Sequence, residues 1–349
     1  MSYASRVQEY YKTNYTKCEF SDELFPFIAD TDNYVLSIHI ICLFFVPIYI
    51  FGGYCIIFKT SKPMSPLKYP LLLNHIWSCV HDLTIGYLLT PVYFLPTIAG
   101  SAMGILHWLD VPPGIQMYLI QAVGYTVLVA MTGLFENRSS CISDNQFRIT
   151  RTSTKVAYNV VRLIIYQNYM APFFLNMLDP DKCRLELLQI LPCPVPEFFT
   201  HPIITFGTDR SYLQYIEVMS PGFVLVESLQ AFFFSCCCIY YLFLKENGQV
   251  STQTRQMQIR FFYGVVAQCF VPLAFLAFPC GSLMISYYFG FQDQGAANIL
   301  MILLSTHGFV QTIVIIAIHR PYRDFAFSFF ACSWKPRRIT FARWSIVLT

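Results

Sequence analysis

A few polar side chains set inside apolar runs are where this sequence can do chemistry. Asp82 and Glu227 are the two carboxylates placed within such runs, and Gln121, Tyr125 and His307 share that setting. A charge in apolar surroundings is costly, so it is retained for a partner, a ligand or a switch. The chemistry on offer is reversible: hydrogen bonding, ion pairing and capture of a small ligand. Bond-breaking chemistry lacks its signatures, since no Walker loop, GxGxxG, HExxH or GxSxG occurs, and no enzyme activity is expected. His75, His81 and Asp82 form the one cluster with metal-ligand character. His75 and Asp82 stand roughly 10 Å apart along a helix axis, and one helix supplies no further ligands, so neither metal nor cofactor is expected. Nothing in the sequence addresses a nucleic acid.

The elements that must carry these groups follow from composition. Of 349 residues 55% are hydrophobic and only 12% charged, against roughly 25% charged in soluble domains. The apolar residues lie in blocks of the length a bilayer core demands of a helix, and lipid leaves no alternative partners for backbone polar groups. The expected fold is all-α: seven transmembrane helices at about 34–58, 69–95, 115–135, 156–178, 219–244, 261–288 and 296–318. Residues 1–33 form an N-terminal segment without a signal peptide, 34–319 the helical domain and 320–349 a basic tail.

Depth then assigns roles. Asp82 lies about 20 Å into the second span, near the midplane, where it is read as a polar hub or cation site, with a hydrogen-bonded structural aspartate as the competing reading. Glu227 lies about 14 Å from its end of the fifth span, and His307 sits at a similar depth in the seventh. Gln121 and Tyr125 share a face of the third at i, i+4. These four are the expected lining of a ligand pocket. The competing use of each is an interhelical hydrogen bond.

Charge orients the bundle. With the N-terminus outside, 16 of the 23 Lys and Arg residues fall on the cytoplasmic side and six outside, while 14 of the 20 acidic residues fall outside. The sequon Asn14-Tyr15-Thr16 then faces the compartment where glycosylation occurs. Cys18, Cys183 and Cys193 lie on the same oxidising side. Cys18–Cys193 would strap the N-terminal segment over the bundle, and Cys183–Cys193 would close only a local loop; the first is favoured. At the cytoplasmic end, Glu136 and Arg138 close the third span as an acidic–basic pair suited to an ion lock. Tyr322 and Arg323 follow Pro321 at the end of the seventh. Beyond them Phe325, Phe329 and Cys332 recur on one face, the pattern of a short amphipathic helix at the interface, with Cys332 a palmitoylation candidate.

Several segments together are similar to one family. Phe51-Gly52-Gly53-Tyr54-Cys55-Ile56-Ile57-Phe58-Lys59-Thr60, Leu72-Leu73-Asn74-His75-Ile76-Trp77, Asp82 and Pro96-Thr97-Ile98-Ala99-Gly100 resemble nematode serpentine receptors of class H. So do Phe135-Glu136-Asn137-Arg138, Leu191-Pro192-Cys193-Pro194 and Pro321-Tyr322-Arg323. The resemblance runs from about 35 to 330 and is densest over the first 140 residues. It implies a G-protein-coupled chemoreceptor of the plasma membrane, carried on the sensory cilium, with a small-molecule ligand and a heterotrimeric G protein as partners. The chain departs from the broader rhodopsin-like pattern. No cysteine opens the third helix, Glu-Asn-Arg replaces the acidic-Arg-Tyr triplet, and Pro-Tyr-Arg stands in place of Asn-Pro-x-x-Tyr. The alternative is a small transporter or channel, which would bring inverted repeats or a filter loop; neither pattern is present.

Overall fold

Runs of apolar residues too long for a soluble surface become long helices whose polar residues turn inward. The computed structural model describes residues 2–18, 24–171, 179–205, 209–245 and 252–333, with side chains omitted at 252 and 330–333. Among them five helical stretches are long and apolar enough to cross a membrane: Thr31–Phe58, Pro113–Ser140, Arg210–Leu244, Gln253–Phe289 and Gln294–Ile318.

The longer helices, in chain order, are α1 (Tyr3–Thr13), α2 (Thr31–Phe58), α3 (Ser65–Leu83), α4 (Pro113–Ser140), α5 (Thr152–Asn168) and α6 (Pro180–Ile190). They continue as α7 (Arg210–Ile239), α8 (Thr252–Pro272), α9 (Phe278–Phe289), α10 (Gln294–Leu304), α11 (His307–Ile318) and α12 (Arg320–Ser333). α3 and α5 correspond to the second and fourth expected spans and are not among the five long apolar stretches. α3 carries Lys68, His75, His81 and Asp82, and described α5 is only 17 residues long and holds Lys155 and Arg162. Residues 172–178, the end of the fourth expected span, lie outside the described residues.

Sequence chemistry sets the boundaries. The Asp30 carboxylate accepts the Asn33 N–H at the start of α2, and Asp209 does the same for Ser211 at the start of α7, each satisfying an orphan donor of the first turn. α3 runs on through a wide turn, Thr84–Leu89, and stops where Thr90 takes a left-handed φ of 43°. α8 and α9 are one stretch interrupted at Leu273–Ala277, directly after Pro272. A proline removes an N–H from the ladder, and the helix relaxes into a wider turn there.

α3 is the hub of the packing, against α4, α2 and α11, while α4 also packs on α5 and α7, and α8 on α11. At one end Tyr34, Ile38, Phe94, Leu187 and Phe198 form a shared core. At the other, where α12 leaves the bundle, Ile56, Leu67, Leu71, Leu134, Phe135 and Tyr322 form a second.

The described chain is mostly helical, as expected, with one small addition. A three-stranded antiparallel sheet, β1 (Pro91–Tyr93), β2 (Ala99–Ala102) and β3 (Ile204–Thr205), covers the first of these ends. Pro91 pairs with Ala102 and Ala99 with Thr205. The helix expected to reach about residue 95 therefore ends at Leu89. Residues 179–217, between the fourth and fifth expected spans, contain α6, and the N-terminal segment contains α1. Cys18 is joined to Cys193 by a disulfide that ties α1 over α6, and Tyr10 adds a hydroxyl bond of 3.0 Å to the Pro192 carbonyl. Cys183 is buried and free. Asn14, at the exposed end of α1, is accessible.

Candidate functional site

Asp82 is fully buried and heavily partnered. Tyr49 of α2 donates its hydroxyl to Oδ2 at 2.6 Å. The backbone N–H groups of Gly308 and Phe309 donate to Oδ1 at 2.9 Å and Oδ2 at 3.0 Å. These two donors are free because the stretch Gln294–Ile318 is broken: α10 ends at Leu304 and α11 begins at His307. The first N–H groups of any helix lack intrahelical acceptors, and a carboxylate there also meets the positive end of the helix dipole. Asp82 thus caps a helix that starts inside the bundle.

Close approach makes this cap possible. A Cβ on Gly308 would lie 2.4 Å from the Ser78 carbonyl oxygen and 2.9 Å from Asp82 Oδ2. Gly308→Ala is therefore expected to push α3 and α11 apart at a cost of about 1–3 kcal/mol. A thermal unfolding midpoint equal to that of the parent, measured on the detergent-solubilised chain, would refute this.

Below the cap a polar column runs toward the α12 end. His75 bridges the Tyr49 carbonyl at 3.1 Å and the Thr312 hydroxyl at 3.2 Å. Gln311 reaches Gln268 at 3.4 Å, and Gln268 reaches His319 at 3.3 Å. Tyr322, fully buried, hydrogen-bonds Thr60 at 2.7 Å. Tyr49, Thr312 and Gln268 had no part in the sequence reading. Each is a polar residue facing inward from an apolar helix, a signal the sequence carries without naming the partner.

The four expected pocket residues do not converge on one place. Gln121 donates to the Tyr166 carbonyl at 3.0 Å, and Tyr125 donates to the Ser220 hydroxyl at 3.0 Å. Glu227 forms a buried, two-point ion pair with Arg162. Arg162 and Tyr166 are one turn apart on α5, as Phe223 and Glu227 are on α7, and Tyr125, Tyr166 and Phe223 pack ring against ring. Gln121, Tyr125 and Glu227 thus share the α4–α5–α7 junction, whereas His307 lies beside His81, with ring centroids 5.8 Å apart. Gln121 and Gln167 keep their carboxamide oxygens buried without hydrogen-bond partners at that junction. A separate cavity of about 510 Å³ opens at the sheet end, lined by residues including Thr97, Ile98, Leu187, Tyr287 and Tyr288. Nearby the His107 and His201 rings stand 5.0 Å apart; burial first, and His107 second, hold His201 below the ordinary imidazole range.

At the α12 end the proposed ion lock takes a different form. Glu136 and Arg138 do not pair with each other, because residues two apart project from different sides of a helix. Glu136 accepts from Ser140 at 2.7 Å and faces Lys155 of α5 at 3.4 Å. Arg138, 5% exposed, donates to the Gln258 carbonyl of α8 at 3.0 Å and lies 5.1 Å from the Phe261 ring. The arginine therefore bridges α4 to α8. Arg323 is exposed and donates to the Ala317 carbonyl at 3.3 Å. Cys332 falls among the side chains outside those described.

Helices long and apolar enough to cross a membrane, packed around a buried carboxylate, define the class as a membrane helical bundle. The chain belongs to the family described as serpentine type 7TM GPCR chemoreceptor Srh, whose model matches residues 29–332. It is 33% identical over 334 residues to Serpentine receptor class H-72 of Caenorhabditis elegans, an alignment covering 95% of each chain. A shorter match, 26% over 118 residues, links it to Serpentine receptor class r-10 of Caenorhabditis briggsae, over 34% of this chain and 32% of that one.

Proposed function

We propose that this chemoreceptor-family protein spans the plasma membrane seven times with its N-terminus outside, binds a small molecule within the bundle and activates a heterotrimeric G protein. The Lys and Arg asymmetry supports the orientation, and it puts α1, the Cys18–Cys193 disulfide and Asn14 outside. The sensory cilium is the site that the class H resemblance implies. The ligand reading rests on the α4–α5–α7 junction, where Gln121 and Gln167 offer buried acceptors beside the Tyr125, Tyr166 and Phe223 rings. Such a site favours an apolar body carrying a hydrogen-bond donor.

The observation that carries the signalling proposal is the Arg138 bridge to α8. Its hydrogen bond and ring contact hold α4 against α8, and parting them opens a cleft while presenting the guanidinium. Phe261→Ala removes the ring contact, worth about 1 kcal/mol, so basal signalling should rise about fivefold by population shift. Arg138→Ala should lower the agonist-driven response. The test expresses the receptor in cells with a reporter G protein, screens a panel of small volatile and soluble compounds, and compares variants at matched surface level. Tags at residues 1 and 349 check the orientation in the same cells. Unchanged signalling in both variants would leave the bridge a structural contact, and a tag at residue 349 labelled on intact cells would defeat the topology.

A further inference from the structure

His81, Asp82 and His307 are brought together from two helices, and each can present one ligand atom within 4.8 Å of the others. All three are buried, at 4%, 0% and 1% exposure. His75, two turns from Asp82 on the same helix, is not part of this group; the third ligand is His307, which arrives from α11, 225 positions after Asp82. Both ring nitrogens of His307 and Nδ1 of His81 lack hydrogen-bond partners. His81 Nδ1 stands in ion-pair range of Asp82 Oδ1, at 3.5 Å. Buried polar atoms are almost always satisfied, so the two unpartnered ring nitrogens of His307 beside the His81–Asp82 pair call for an occupant.

We propose that His81, Asp82 and His307 form a site for a divalent transition-metal ion of the zinc class, clamping α3 to α11 in the middle of the bundle. Two imidazoles and one carboxylate form a three-ligand set that leaves one coordination position open. Imidazole donors select zinc, copper or nickel over magnesium or calcium, which prefer all-oxygen sites. The carboxylate is already oriented for the role. Oδ2 accepts from Tyr49 and Phe309, whereas Oδ1 accepts the Gly308 N–H and faces His81 Nδ1. The Tyr49 hydroxyl and the two backbone N–H groups are the outer partners that a metal-binding carboxylate needs. The ion would tie the start of α11 to α3 and so fix the break in the seventh span.

The probe is Co²⁺, read by its visible ligand-field absorption, on the purified full-length chain in detergent after chelator treatment. One equivalent should bind in an imidazole-type, low-symmetry environment. His307→Leu and His81→Leu should each abolish the spectrum, and Tyr49→Phe should weaken binding by about 10–100-fold. His107→Leu with His201→Leu, at the sheet end, should leave it intact. Zn²⁺ should displace Co²⁺ stoichiometrically. Should His307→Leu fail to fold, the Tyr49→Phe shift and the wild-type stoichiometry still decide. The proposal is overturned if the wild type takes up no metal, if the spectrum survives His307→Leu, or if it disappears with the His107/His201 pair, which would mark surface binding.

Discussion

Glu227→Gln is expected to destabilise the receptor by about 3–5 kcal/mol, the usual cost of leaving a buried charge without its partner. Arg162 and Glu227 side chains are 7% and 3% exposed, and the two meet across α5 and α7 in a two-point contact. Removing the carboxylate charge leaves the guanidinium with Asn159 at 3.2 Å and the Tyr158 ring at 4.7 Å. Those contacts offset part of the loss, which places the expectation toward the lower part of the range. The informative partner experiment replaces both residues, Arg162→Met with Glu227→Leu. A hydrophobic pair of similar volume carries no desolvation cost and is often as stable as the ion pair or more so. Thermal unfolding of the detergent-solubilised chain should therefore show a large drop for the single variant and recovery in the double. A double variant no better than the single would mean that the pair is held for packing rather than charge. The same experiment bears on the ligand site, because a Glu227 satisfied by Arg162 is not free to anchor a cationic ligand.

Cys18→Ser is the second large expectation. The bridge joins residues 175 apart in sequence, and long loops gain about 2–4 kcal/mol from such closure. Tyr10, bonded to the Pro192 carbonyl, and the packing of α1 on α6 remain after the bond is lost, so the bundle should stay folded. The loss falls on α1, whose amide protection against hydrogen exchange should drop about 30-fold or more, following from 1.4 kcal/mol per factor of ten. α4 and α11 should be unaffected. Unchanged protection in α1 would mean that the noncovalent contacts alone hold the segment in place.

The long helices could be read directly because a bilayer-length apolar block has few other folds. Asp82 and Glu227 were legible for the same reason, as charges in the wrong surroundings. Their partners were not. Arg162 lies 65 residues from Glu227 and Gly308 226 from Asp82, and helical periodicity says which face a residue takes but not which helix stands opposite. The sheet escaped notice because its strands are two to four residues long and include Pro91 and Gly100, too short for an alternating pattern. The separate partners of Glu136 and Arg138 were within reach, since a spacing of two on a helix sends side chains to different sides. α1 had a start signal in Ser2, whose hydroxyl accepts the Ser5 N–H, but its polar composition hid it.

The interruption between α10 and α11 has a mechanical meaning. An unbroken helix behaves as a shaft: twist applied at one end arrives at the other. Here Gly308 and Phe309 have surrendered their ladder bonds to Asp82, so the stretch Gln294–Ile318 is two short shafts meeting at a coupling. The stiffness of that coupling resides in a residue of α3 and is modulated by Tyr49 of α2. Any event that loosens the grip on Asp82 would let the sheet-side half turn without carrying Tyr322 along, and any event that tightens it would make the two halves rotate as one.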